Sequence, residues 1–349
     1  MIHTLQSLRF VFIMLVVLSH YIGSSFDFGG ECGVSFFFML SGFVLSLAYS
    51  ERISKGLFST KPFCVKQWIK IYPLHIITFI IMFALDLRLE KYCEPEVAIA
   101  NLLLLQSWVP ADSFYFVANS PSWFLCDIMF FYVVFSPLNK LILRVDNIRL
   151  YSISLFVFLL YICLMVVLPS SMVNPVLYAN PLTRLLDFII GIILFKLYIS
   201  DKGIALKDKL VKKSSFVVSS MEFSLILLIV VTAIVYPHLQ PRVRTVFIFW
   251  LSIPLTIFFF ALSDQSKGVV SRFLQGKTML WLGNISFCLY IIHAPVLRIF
   301  NSISVQVGIS DLTTIHFILF TTILILFSHL TNKFNMAFLS KIRNTNFFK

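Results

Sequence analysis

Two ionisable residues, Arg9 and His20, lie inside the first long apolar stretch of the chain. Such groups are costly in a membrane segment, so the pair is a functional-site hypothesis. Their spacing of 11 positions returns to within ~20° of the same helical face and spans ~16 Å of helix axis. Gln6 lies within ~60° of both. One helix face therefore offers a base and a cation. The structural alternatives are that the histidine only packs in the core and that the arginine belongs to a buried ion pair.

The composition is that of an integral membrane protein. Of the 349 residues, 59% are hydrophobic and 13% are charged, and the mean hydropathy is +0.92. Soluble domains are about 25% charged. Apolar runs recur along the whole chain and leave no stretch for a separate soluble domain, which predicts a single membrane-embedded domain over 1–349. No soluble basic module is present that could hold a nucleic acid.

Hydropathy and helix breakers predict an all-α, polytopic protein with about ten transmembrane helices around a polar cavity. If both termini are cytoplasmic, most of the 28 Lys and Arg residues fall in segments on the cytoplasmic side of the membrane. In a membrane protein an uneven distribution of Lys and Arg usually reflects the orientation of the helices, and only secondarily an anionic partner. We therefore expect both termini on the cytoplasmic side. The predicted spans lie near 3–24, 31–50, 68–88, 121–141, 150–169, 182–200, 219–237, 243–263, 281–302 and 312–334.

The stretch 95–108 is apolar but too short to span a bilayer, which predicts a re-entrant or interfacial element. Trp108 begins the aromatic loop that follows it. An aromatic ring at this position could stack on a sugar, and an interfacial anchor is the more common role.

The six cysteines show no Cys-x-x-Cys spacing, so neither a metal nor a redox centre is expected. Cys32 and Cys93 are predicted on the same outer side of the membrane. They could form a disulfide, which the sequence leaves open.

Several motifs follow the first span in a fixed order. They are Gly33–Phe43, which contains Ser41 and Gly42; Lys66–His75; Trp123–Asp127; Arg184–Gly191; and Leu282–His293. Together with Leu8-Arg9 and His20 they resemble the membrane-bound acyltransferase 3 family, and the resemblance covers essentially the whole chain. It implies a bacterial inner-membrane enzyme that transfers an acyl group, usually acetyl, from acyl-CoA to a hydroxyl of a glycan or other acceptor, without a metal.

The resemblance also implies roles for the residues that match the motifs. Arg9 and His20 match the family's arginine and histidine in the first helix. His20 would then be the general base, and Arg9 would balance negative charge on the cofactor or on the tetrahedral intermediate. Lys66 and Lys70 stand where the family has arginines, on the predicted inner side, and would contact CoA phosphates as point charges. The alternative is that both lysines flank a span under the positive-inside rule.

Two further sets of residues have two interpretations each. Ser41 and Gly42 could let the thioester approach the backbone, or could be helix-packing residues. Tyr290 and His293 lie within ~60° on one face of the ninth span, where His293 is a second catalytic candidate or a hydrogen-bonded core histidine. Trp123, Tyr290 and Trp108 are the candidate acceptor-binding residues.

Acidic residues in the fourth and sixth spans complete the candidates. Arg184 and Asp187 are three positions apart, which predicts a mutual ion pair. Asp127 has no partner nearby in the sequence, so it is the candidate to orient His20 or to bind the acceptor.

We expect the polar faces of spans one, two and nine to meet in a membrane-spanning cavity. The predicted function is an O-acyltransferase that acts on a glycan or a lipid-linked saccharide. A transporter or flippase for a lipid-linked saccharide is the rival, since it too needs many spans and a polar cavity. A sensor that kept the fold without the chemistry is a third reading.

Overall fold

The computed structural model describes residues 1–89, 93–308 and 314–343. Helices and short turns make up this part of the chain, and none of its residues forms a strand, which confirms the all-α prediction. The helices are α1 His3–Ile22, α2 Asp27–Ser54, α3 Thr60–Arg88, α4 Pro95–Leu102, α5 Asp112–Tyr115, α6 Trp123–Arg144, α7 Asn147–Val167, α8 Pro181–Ile199, α9 Asp201–Lys212, α10 Ser215–Val235, α11 Pro241–Arg244, α12 Phe249–Leu262, α13 Val269–Leu274, α14 Lys277–Gln306 and α15 Thr314–Arg343.

Within the described residues, nine helices are long and apolar enough to cross a membrane, and they match nine of the predicted spans. They are α1, α2, α3, α6, α7, α10, α11 with α12, α14 and α15. The first two residues of the predicted tenth span, 312–313, lie outside the described residues. We call the membrane face at which α1 begins the N face, and the face at which it ends the opposite face.

The remaining predicted span, near 182–200, is α8, which is long enough to cross the bilayer but carries three charged side chains. Each of them has a protein partner. Arg184 and Asp187 form a fully buried ion pair at 2.8 Å, and the Lys196 ammonium donates to the Ile142 carbonyl at 3.0 Å. Because these charges are satisfied inside the bundle, α8 fits among the apolar helices, where it contacts α2, α6 and α12.

Helix α1, which carries Arg9 and His20, is held closely by its neighbours. A Cβ atom added at Gly29 of α2 or at Gly283 of α14 would overlap the α1 backbone. At its N terminus the Thr4 amide donates to the Asp264 carboxylate at 2.8 Å. The two glycines let the helices approach closely, and the carboxylate caps amide groups that the helix leaves unpaired. The position of α1 is therefore fixed along its length.

Helices α2 and α8 also cross in close contact, through one glycine from each. A Cβ atom at Gly42 would overlap the Phe188 carbonyl oxygen, and one at Gly191 would overlap the Met39 carbonyl oxygen. Small residues at such a crossing bring two backbones together.

Gly191→Ala is expected to lower the free energy of unfolding by about 1–3 kcal/mol, because the added methyl group meets a backbone oxygen that no side-chain rotation can move. Thermal unfolding of the purified protein in detergent measures the change. Leu182→Ala on the same helix is the control, since that side chain is 58% exposed. A Gly191→Ala protein as stable as the wild type would contradict the close crossing.

Residues 95–122 form a compact segment at the opposite face, which we call the cap. It contains α4, α5 and short 3₁₀ turns, and α4, which lies in the stretch 95–108, is too short to span a bilayer. Buried polar groups dock it onto the bundle. The Asn119 amide donates to the Thr78 hydroxyl at 3.0 Å and to the Ile291 carbonyl at 3.1 Å, and an imidazole nitrogen of His75 lies 3.0 Å from the Asn101 carbonyl.

The two cysteines left as a possible disulfide, Cys32 and Cys93, are both free thiols. Cys32 is buried, and Cys93 is partly buried.

Candidate active site

A cavity of about 350 Å³ opens at the opposite face, and His20 lines it. We call it the His20 cavity. Helices α1, α2, α6 and α14, the cap, and the turn before α8 all contribute to its wall. The lining residues are Val16, Ser19, His20, Gly23, Asp27, Gly30, Glu31, Val34, Phe116, Ser120, Pro121, Trp123, Asn174, Tyr178 and Tyr290.

His20 is paired with His293, a fully buried residue of α14. The two imidazole rings lie edge to edge and nearly coplanar, with centroids 4.8 Å apart and planes 9° from parallel. His20 Nδ1 lies 2.7 Å from His293 Nε2. His293 Nδ1 in turn lies 2.5 Å from the Tyr290 carbonyl oxygen.

This chain of contacts determines which nitrogen carries each proton. A carbonyl oxygen only accepts, so His293 Nδ1 must be the donor. In a neutral ring the other nitrogen, Nε2, is then an acceptor, and it receives the Nδ1–H of His20. The remaining nitrogen of His20, Nε2, is unprotonated. His20 is exposed at the cavity, so this lone pair is available to a ligand.

Aromatic side chains form one wall of the His20 cavity. Trp123 and Tyr178 pack with ring centroids 4.8 Å apart. The Tyr290 hydroxyl donates to the Pro121 carbonyl of the cap, so this ring is fixed in place. Burial, and then the negative charge of Glu31, raise the pKa of Tyr178, so its phenol stays neutral. Such rings present flat apolar faces with hydroxyl groups at their edges, a surface suited to a sugar ring.

A second cavity, of about 500 Å³, opens at the N face between α2, α3 and α15. We call it the N-face cavity. Lys66 and Lys70 both line it, together with Arg52, which the sequence analysis did not single out. Three cations at one cavity are suited to phosphate groups. Arg52 was not a candidate for donor binding because a basic residue at the end of a span is already explained by the positive-inside rule.

Arg9 lies deeper in the bundle than either opening. It is half-buried, its Nε makes no hydrogen bond with a described residue, and its electrostatic neighbour is Tyr132 of α6. Tyr132 also interacts with Tyr49, which lines the N-face cavity. The sequence predicted that Arg9 and His20 open into one membrane-spanning cavity. Among the described residues, His20 lines one cavity and Arg9 lines neither.

Comparisons with known proteins identify the family of the chain. A family model named Acyl_transf_3 and described as an acyltransferase domain matches residues 2–331. The chain belongs to the acyltransferase 3 family. The acyltransferase MdmB of Streptomyces mycarofaciens is 27% identical in an alignment over 286 residues that covers 77% of this chain and 68% of that protein. No solved structure matches the chain.

In this acyltransferase, Asp127 is not the residue that orients His20. The hydrogen bond described for His20 Nδ1 is to His293, and Asp127 is fully buried elsewhere, with Arg184 as an opposite charge nearby.

The predicted ion pair of Arg184 and Asp187 is confirmed. It is part of a buried network, because Asp187 also accepts from the Trp250 indole at 2.6 Å and Arg184 donates to the Ser35 hydroxyl at 3.0 Å.

The structure favours the packing interpretation of Ser41 and Gly42. The Ser41 hydroxyl donates to the Phe37 carbonyl at 2.7 Å within its own helix. Gly42 faces Phe188 of α8. Within the described part of the chain neither residue lines the N-face cavity or the His20 cavity.

Of the three candidate acceptor-binding residues, two line the His20 cavity and one does not. Trp123 and Tyr290 line the His20 cavity, whereas Trp108 is 39% exposed and packs edge-on against Phe130, outside the cavity lining as described. Asp27 and Glu31 also line the cavity, although neither was among the candidates selected from the sequence. Their spacing of four residues at the start of a helix was the available signal, since it places both on one face.

Proposed function

We propose that this protein is a membrane O-acyltransferase that moves an acetyl or similar short acyl group from acyl-CoA to a hydroxyl of a saccharide. The proposal rests above all on His20. Its Nε2 carries an unshared electron pair at a cavity with aromatic walls, and its Nδ1 donates to His293. A fixed imidazole base beside a space for an alcohol is what acyl transfer to oxygen needs.

In the proposed reaction, the acceptor hydroxyl lies against His20 Nε2. As the hydroxyl oxygen attacks the thioester carbonyl, Nε2 takes its proton and the C–O bond forms. The tetrahedral intermediate then expels the CoA sulfur as the C–S bond breaks, and the imidazolium returns the proton to the departing thiolate. His293 keeps the imidazole in one orientation and one tautomer throughout, the role that a carboxylate has in hydrolase triads.

The donor would bind at the N-face cavity, where Arg52, Lys66 and Lys70 would contact CoA phosphates. Arg9 lies ~16 Å along α1 from His20, which is too far to touch an intermediate formed there. We therefore assign Arg9 to the donor, along the path that the thioester arm takes from the N-face cavity toward His20.

We also propose that the N face is cytoplasmic and that the membrane is a bacterial inner membrane. The excess of basic residues in the segments at the N face supports this orientation. CoA would then be bound from the cytoplasm, and the acceptor would enter from the other side.

The central experiment follows labelled acetyl from acetyl-CoA into saccharide acceptors, with purified protein in nanodiscs. An O-acyltransferase forms a labelled ester. A flippase moves a lipid-linked saccharide in liposomes without forming an ester, and a sensor turns over no donor, so either result would refute the proposal.

The double variant Lys66→Gln/Lys70→Gln is expected to raise the KM for acetyl-CoA about tenfold or more, because each charge-assisted contact contributes about 1.5–3 kcal/mol. The KM for the acceptor should not change. Steady-state kinetics with each substrate varied in turn measures both. Lys202→Gln in α9 is the control, a lysine outside the lining of the N-face cavity as described. An unchanged KM for acetyl-CoA would place the donor elsewhere.

A further inference from the structure

The His20 cavity has an acidic side. Asp27 and Glu31 are four residues apart in the first turns of α2, and both line the cavity together with His20. The lining residues that the structure describes include no lysine or arginine. A ligand that reaches His20 therefore meets two carboxylates and no opposing cation in the cavity wall.

Neither carboxylate forms an ion pair with a basic side chain of the described residues. The buried Oε2 of Glu31 has no hydrogen-bond partner within the described structure. The nearest basic neighbour common to both is Arg244, whose guanidinium lies over the Tyr236 ring at 5.2 Å and not within ion-pair distance.

Tyr236 is the protein neighbour of Glu31 on this side of the cavity. It is 4% exposed, and its hydroxyl lies beside the Glu31 carboxylate, with which it interacts. Buried polar groups in proteins are almost always hydrogen-bonded, and leaving one unpaired is costly. One phenol O–H can serve one carboxylate oxygen at a time, so the buried Glu31 Oε2, which has no hydrogen bond among the described residues, points to a further donor supplied by a bound molecule.

We propose that the acceptor is an amino sugar, whose protonated amine binds between Asp27 and Glu31 while one of its hydroxyls meets His20. The inference rests on the proposed function. An ammonium group supplies both the positive charge and the N–H donors that this side of the cavity lacks. The sugar ring would stack on Trp123 and Tyr178, which form the adjacent wall.

The carboxylates also account for transfer to oxygen and not to nitrogen. A free amine is a better nucleophile than a hydroxyl, but an ammonium ion has no lone pair. Holding the amine protonated between two carboxylates therefore protects it, and the hydroxyl that His20 deprotonates is the group that is acylated. An anionic acceptor, such as a uronic acid, would be repelled from the same site.

The test compares three methyl glycosides that differ at one position, with an amine, a hydroxyl or an N-acetyl group. Binding is measured without donor, from the thermal stabilisation that each glycoside gives to the protein in detergent. Acyl transfer is measured separately with labelled acetyl-CoA. The amine glycoside is expected to bind about 10–100-fold more tightly than the other two, as for a charge-assisted contact, and its product should carry the label on oxygen.

Asp27→Asn and Glu31→Gln are each expected to reduce that preference, and the double variant should abolish it. Without ligand, Glu31→Gln should be at least as stable as the wild type, because it removes a buried charge without an ion-pair partner. Glu96→Gln, at an exposed position of the cap, is the control. Equal binding of the three glycosides, or an amine preference that survives in the double variant, would overturn the inference. Failure of every glycoside to accept label, with the amine preference in binding intact, would instead count against the proposed function.

Discussion

Replacing His20 by alanine is expected to lower kcat for acyl transfer by about 10²–10⁴-fold, the usual contribution of a general base. His20 is the one imidazole in the described lining of the His20 cavity. Steady-state transfer of labelled acetyl to the acceptor measures the effect. The KM for acetyl-CoA should stay the same, because the proposed donor contacts lie at the N-face cavity.

The His20→Ala protein should remain folded. The side chain lies in the last turn of α1 and is exposed at the cavity, so its loss leaves no packing defect in the core. His238→Ala is the matched control, because His238 is also exposed and follows a helix that ends at the same membrane face. A folded His20→Ala protein with normal transfer would refute the assignment of the base.

Replacing His293 by leucine is expected to lower kcat about 10²-fold, the effect of misplacing a catalytic group by about 1 Å. Leucine cannot accept the Nδ1–H of His20, so the ring is free to turn and to take the tautomer with Nε2 protonated. The KM for the acceptor should change little, since His293 is absent from the cavity lining of the described residues.

His293→Gln distinguishes this positioning role from a purely structural one. The glutamine amide oxygen reaches close to the position of imidazole Nε2 and can accept the same hydrogen bond. The glutamine variant should therefore recover most of the activity that the leucine variant loses. Equal losses in both variants, accompanied by equal losses of thermal stability, would mean that His293 only fills the core.

The local sequence was sufficient for the spans and for the candidate base. Each transmembrane helix is encoded by a continuous apolar run, because backbone groups in a bilayer must be satisfied within the helix itself. The cost of burying ionisable groups drew attention to Arg9 and His20, and the buried ion pair of Arg184 and Asp187 was predictable from its spacing.

The helical periodicity that placed Arg9 and His20 on one face could not decide what each faces. Periodicity gives only the angle of a side chain around the helix axis, whereas lining a cavity also depends on how deep in the bundle the residue lies. His20 lines a cavity at the opposite face, whereas Arg9 is half-buried near Tyr132 of α6, so the two residues have different surroundings. In the same way Ser41 and Gly42, near the middle of α2, contact neighbouring backbone and not a cavity.

By itself the sequence determined the class of protein, its helices and the candidate base, since hydropathy and the penalty for buried charge are properties of short segments. Tertiary structure alone decided the partners. His20 is paired with His293, which is 273 positions away in the chain, and not with Asp127. Asp27 and Glu31 became part of the same cavity only when the first turns of α2 packed beside the end of α1 and the cap. Contacts between distant helices depend on how whole surfaces fit together, and no local pattern of residues contains that information.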